Sequence, residues 1–113
     1  MALIINKDQL QRTGTGWKFE GFNFNDTNVS FFIIEAAPGK GAKLHQHPYE
    51  EIFINLEGKA TFTIGNETIE VEPGQVIVAP ANVPHKFVNS GEGILRQVDI
   101  HPVTKMVQTN LEL

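Results

Sequence analysis

Four side chains able to bind a cation stand within seven residues, His45, His47, Glu50 and Glu51, in the stretch GKGAKLHQHPYEEIFINLEG at 39–58. His45 and His47 are separated by one residue, so in an extended chain both imidazoles point to the same side. Pro48-Tyr49 then bends the chain, because proline fixes its own φ and drives the preceding residue toward extended geometry. The chain re-enters a strand at Glu51, in phase with Phe53 and Asn55; pairing with the preceding strand returns Glu51 toward the two histidines. A further imidazole, His85, follows the proline-bounded loop VAPANVP. This set suits a divalent cation, since neutral imidazoles and a carboxylate supply nitrogen and oxygen ligands at about 2.0–2.2 Å. Three histidines and a glutamate leave positions open on a six-coordinate ion, which a catalytic or substrate-binding metal needs and a structural one does not. Taken singly, each residue also has an ordinary reading: a solvent-facing H-x-H pair, a charged turn, a strand cap.

The elements that must position these groups read as strands. VSFFIIEA (29–36) is apolar on both faces, as in a strand covered on both sides. EIFINLEG (51–58) alternates Ile52, Ile54 and Leu56 against Glu51, Phe53 and Asn55. KATFTIGNETIEVEPG (59–74) is a hairpin with its turn at Gly65-Asn66. QVIVAPANVPH (75–85) is a strand that ends at Pro80; HKFVNS (85–90) and GILRQVDIH (93–101) complete the series. Asn6 and Gln9 fit the two ends of a capping box around one helical turn. No segment holds helical period over three turns, so the expectation is a single all-β domain over residues 1–113, a sandwich or barrel.

Composition narrows the function. The chain has 113 residues, a net charge of −4 and scattered lysines, which argues against nucleic acid or an anionic membrane surface as partner. It has no cysteine, so any metal must be held by His, Asp or Glu. No stretch approaches the roughly 18 consecutive apolar residues of a membrane span, and MALIINKDQLQR lacks a signal-peptide pattern, so a cytoplasmic protein is expected.

Spacing ties the separate residues together. Gly39, His45, His47, Glu51 and Gly58 satisfy G-x5-H-x-H-x3-4-E-x6-G, and Gly74, Pro80, His85 and Asn89 satisfy G-x5-P-x-G-x2-H-x3-N except at Asn82, which stands where that pattern has glycine. In both motifs (39–58 and 74–89) the chain resembles the cupin superfamily. The resemblance implies an all-β double-stranded β-helix, or jelly-roll, barrel. It implies His45, His47, Glu51 and His85 as the ligands of one divalent transition metal per chain: Mn, Fe, Ni, Cu or Zn. Gly39, Gly58, Gly74, Pro80 and Asn89 would be structural. Asn82 is a mild departure, because Asn tolerates the positive φ that glycine usually serves in a turn. Cupins with this ligand set include dioxygenases, isomerases and lyases, as well as non-catalytic binding or sensing modules, and the ligands do not choose among them.

Other residues mark the surroundings. Gln97, Asp99 and His101 share one face of LRQVDIH; lining the barrel, Asp99 would be a general base near the metal and His101 a proton relay. For His101, which precedes Pro102 at a strand end, the surface is the expectation. Phe53, Phe62, Phe87 and Trp17 are candidate pocket walls, Tyr49 a candidate gate, and Lys40, Lys43 and Lys86 candidates for steering an acidic small molecule. The apolar N-terminal strand and the tail KMVQTNLEL predict a homodimer in which terminal segments cover the partner's sheet.

Overall fold

A computed structural model describes residues 2–112. Eleven strands follow one another: β1 (Gln11–Thr13), β2 (Gly16–Phe19), β3 (Ser30–Ala36), β4 (Gly41–Gln46), β5 (Glu51–Glu57), β6 (Ala60–Ile64), β7 (Glu67–Val71), β8 (Val76–Ala79), β9 (His85–Asn89), β10 (Leu95–His101) and β11 (Thr109–Asn110). Single 3-10 turns lie at Lys7–Gln9 and Gly21–Asn23. The first is closed as the sequence predicts, with the Asn6 N–H donating to Gln9 Oε1 at 2.7 Å.

All strand pairs are antiparallel. One sheet runs β1-β2-β3-β10-β5-β8 and the other β11-β4-β9-β6-β7, and their facing sides enclose the core of an all-β jelly-roll barrel. The Gly65-Asn66 hairpin sets its register as expected, Phe62 opposite Ile69 and Ala60 opposite Val71. TGTG at 13–16 is the tight turn between β1 and β2, with Thr13 opposite Gly16.

The interior has an apolar end and a polar end. Phe53, Phe62 and Phe87 pack ring against ring in the apolar part, joined by Ile34, Ala36, Ala60, Val71 and Leu95. The polar end follows from topology. Glu51 opens β5, His85 opens β9, His101 closes β10 and His45 lies near the close of β4. Antiparallel neighbours bring the start of one strand beside the end of the next, so residues far apart in sequence meet at one rim. A bulge in β4 completes the arrangement: Ala42 pairs with Phe87, but His45 pairs with His85, one residue out of step. The extra residue puts Ala42 and His45 on the same inner face, as bulges beside binding sites commonly re-aim side chains.

Two turn positions decide a loop at each end of the barrel, Gly58 at the end away from this rim and Asn82 beside it. Gly58 has φ +86, and a Cβ there would meet the Ile94 carbonyl oxygen at 2.6 Å, so only glycine fits. Asn82 has φ 61, the conformation foreseen for it, and its N–H donates to the His47 carbonyl at 2.7 Å. Asn89 holds the opposite end, donating through Nδ2 to the carbonyls of Ala36 and Gly93 and accepting the Gly91 N–H.

The tail departs from expectation. Thr109 and Asn110 pair with Gln46 and His45 of this chain's own β4, and the Leu111 N–H donates to the Leu44 carbonyl. A bare β4 edge is covered from within the chain because the segment after Pro102 turns back across the rim, held by the Met106 N–H on Glu20 Oε2.

Candidate metal centre

His45, His47, Glu51 and His85 converge at the polar rim, and all four are buried. One ligand atom from each lies within 4.8 Å of all the others. Glu51 Oε1 is the focus, 2.9 Å from His47 Nε2, 3.0 Å from His85 Nε2 and 4.0 Å from His45 Nε2. The sequence brought these four together, and the structure does the same. Glu50, their neighbour in the chain, points outward and is exposed.

The ring orientations carry chemical information. In each of the three histidines Nδ1 faces a backbone carbonyl: Lys43 at 2.6 Å for His45, Val107 at 2.7 Å for His47 and Val83 at 3.0 Å for His85. A carbonyl only accepts, so Nδ1 is the protonated nitrogen, and a neutral ring then offers a lone pair at Nε2. Three such lone pairs and a carboxylate oxygen aimed at one point repel each other unless a positive charge sits among them. Either protons on the rings or a cation supplies it. The donor set is that of a first-row divalent metal, with each imidazole oriented through its second nitrogen as ligating histidines generally are. The residues therefore fit a metal ion.

Electrostatics agree. Burial would raise the Glu51 carboxyl, but the imidazoles of His101, His47 and His85 beside it outweigh burial and hold it well below the usual carboxylate range. Burial pushes the His45 ring down, against the pull of its bond to the Lys43 carbonyl, so it stays neutral and able to ligate.

A cavity of about 210 Å³ opens beside this cluster, walled by Phe32, Ile34, Phe53 and Phe87 and reached by His45, Glu51, Asp99 and His101. Its size suits a ligand of few atoms, being below the roughly 300–1,000 Å³ of drug-sized sites.

Several expectations change here. His101 is 1% exposed, not on the surface. Its strand-end position lies over the rim, where Ser30 of β3 is its partner, and its Nε2 stands 3.2 Å from Glu51 Oε2, inside ion-pair range but off the angle of a hydrogen bond. Gln97 and Asp99 also face inward, Gln97 Nε2 donating to Asp99 Oδ1 at 2.7 Å. Burial, then the Glu51 charge, pushes the Asp99 carboxyl well up, so it holds its proton more tightly than a free carboxyl does. Tyr49 is no free gate: it stacks on His47 with planes 11° apart and its hydroxyl meets His101 Nδ1 at 2.7 Å. Burial pushes its phenol up to about 12, so the hydroxyl stays protonated. Phe53 and Phe87 wall the cavity, whereas Phe62 lies beneath them in the core. Trp17 lies outside it, with the cationic heads of Lys7 and Arg12 over its ring. Among the steering lysines Lys43 reaches the cavity, Lys86 pairs with Glu112 at 3.8 Å and Lys40 is exposed at a turn.

Known proteins give the context. A protein of Methanocaldococcus jannaschii described as uncharacterized is 42% identical over 62 residues, 52% of this chain and 50% of that one. The HTH-type transcriptional regulator PuuR of Escherichia coli is 31% identical over 107 residues, 90% of this chain and 57% of that one. Among solved structures, oxalate decarboxylase of Lactobacillus farciminis superposes with a TM-score of 0.81 at 24% identity, over 92% of this chain and 34% of that chain, a likeness of fold alone. The chain spans about half the length of these two relatives. The description Cupin domain matches residues 32–101, which include both motifs and most of the chain. The protein belongs to the cupin family.

Proposed function

We propose that this chain, acting as one cupin domain over residues 1–113, holds a single divalent transition metal through His45, His47, Glu51 and His85 and presents an open coordination position to a small molecule in the adjoining cavity. The observation that carries this reading is the convergence of three Nε2 lone pairs on Glu51 Oε1 at a buried site. A metal there would supply Lewis acidity to an oxygen-bearing ligand. The chain's own part is to orient the imidazoles through backbone carbonyls and to exclude water with Phe32, Phe53 and Phe87. Calorimetric titration of metal-free protein with zinc, manganese and iron(II) tests the reading. One site per chain supports it; no binding of any of them counts against it.

A second reading has its own support: the match to a transcriptional regulator over 90% of this chain favours a binding or sensing module without turnover. A metabolite panel separates the two, since turnover that disappears with the metal is expected only of an enzyme. A homodimer and a cytoplasmic location belong to the same proposal. Exposed Leu56, Val76 and Val78 on the outer face of β5 and edge strand β8 support self-association, which light scattering at micromolar concentration tests.

A further inference from the structure

The histidines around Glu51 are not equivalent. For His45, His47 and His85 a backbone carbonyl fixes the proton on Nδ1. His101 has no carbonyl at that nitrogen; its Nδ1 meets the Tyr49 hydroxyl, 2.7 Å away. That hydroxyl oxygen accepts the Val107 N–H at 3.3 Å. Among the described residues His101 Nδ1 is then the acceptor for the Tyr49 hydrogen, which leaves the proton of a neutral His101 on Nε2. One residue thus sets two opposite tautomers: the Val107 carbonyl accepts from His47 and exposes a lone pair, while the Val107 N–H, through Tyr49, makes His101 expose an N–H.

That N–H is unusual in its setting. His101 Nε2 is buried and has no hydrogen-bond partner among the described residues. It stands beside the other oxygen of Glu51, away from the focus on Oε1, and it lines the cavity together with His45. His101 also lies outside the group of four whose ligand atoms converge. A buried donor of this kind is built for an acceptor that arrives with a ligand.

We propose that His101 is not a further metal ligand but the hydrogen-bond donor that positions a small oxyanion against the cation, with Tyr49 as the residue that fixes its tautomer. This rests on the metal-binding reading above. The cation and the Nε2–H together select a negatively charged oxygen, and the phenylalanine walls take the apolar remainder.

The test uses the full chain, with formate as the probe and cobalt(II) as a visible metal. Long-range proton–nitrogen NMR of the metal-free and zinc-loaded protein reads which ring nitrogen of each histidine bears the proton. The expected result is Nε2 for His101 and Nδ1 for His45, His47 and His85. Cobalt absorbance reads formate affinity: His101→Ala should keep one cobalt per chain and weaken formate about tenfold, the effect of losing one hydrogen bond to a charged acceptor. His101→Gln retains an N–H and should recover most of that loss. Tyr49→Phe, which removes no ring around the cation, should spread the His101 proton over both nitrogens and weaken formate by a smaller factor. A proton on His101 Nδ1, loss of cobalt in His101→Ala, or unchanged formate affinity in both the His101→Ala and Tyr49→Phe variants overturns the proposal. Wild-type protein that takes up no cobalt or zinc overturns the metal reading and this proposal with it; normal uptake with unaltered formate affinity overturns the donor role alone.

Discussion

His45 and His85 stand directly opposite each other on β4 and β9, forty residues apart in the chain, with ring centroids 4.4 Å apart. The pairing exists because the β4 bulge shifts the register between Ala42 and His45. His85→Ala removes a buried ring packed against His45 and His47 and should lower the stability of the metal-free protein by about 0.5–3 kcal/mol. In the wild type, metal at roughly a thousand times its Kd should add about 4 kcal/mol, and that gain should vanish in the variant. Chemical denaturation with and without metal measures both; an undiminished gain in His85→Ala would contradict the assignment.

Asp99 gives a pH-dependent prediction. Its folded-state pKa is raised, so its proton is bound more tightly in the folded chain than in the unfolded one. The native state is favoured by this group below the unfolded pKa and progressively loses that favour as pH rises from there toward the folded value. Asp99→Asn removes the dependence while keeping an acceptor for Gln97. Its melting temperature should exceed the wild type's by roughly a few degrees at pH 7 and by nothing near pH 3. A difference of the same size at both pH values would show that the carboxyl ionises freely in the fold.

Phe62 is fully buried between Phe53 and Phe87, with centroids 4.9 and 5.5 Å away. Phe62→Ala should cost about 3–5 kcal/mol by removing apolar contacts and leaving a cavity. Metal stoichiometry should survive under folding conditions, because Phe62 does not line the site cavity.

At Asn82 the backbone decides. Asn82→Gly should change stability by less than about 1 kcal/mol, whereas Asn82→Val should lose roughly 1–2 kcal/mol from left-handed strain alone. Equal melting curves for the two variants would mean that the loop relaxes out of that conformation.

Much of this site was legible in the chain itself, for definable reasons. His45, His47 and Glu51 share a face by strand periodicity, and Gly39, Gly58, Gly74 and Pro80 place His85 by motif spacing. Gly65-Asn66 fixed a hairpin that needs only local information. His101 and Tyr49 were harder, because they meet across 52 residues and nothing local marks the contact. Hydropathy also misleads on β10, where Leu95, Gln97, Asp99 and His101 are buried and the Val98 and Ile100 side looks the more apolar. Polar residues can line that inner face only because each finds company there: Gln97 with Asp99, His101 with Tyr49 and Glu51. The apolar residues of the tail have no periodic pattern to say which edge they cover, and it is the β4 edge beside His45 that they reach.

A metal held by His45, His47, Glu51 and His85 should copurify with the protein. The most direct measurement is elemental analysis by mass spectrometry of untagged protein purified without chelator, wild type beside His47→Ala. About one transition metal per chain in the wild type, and none in the variant, is the predicted result. Equal metal in both, or a wild type that is empty and refuses added metal, would contradict it.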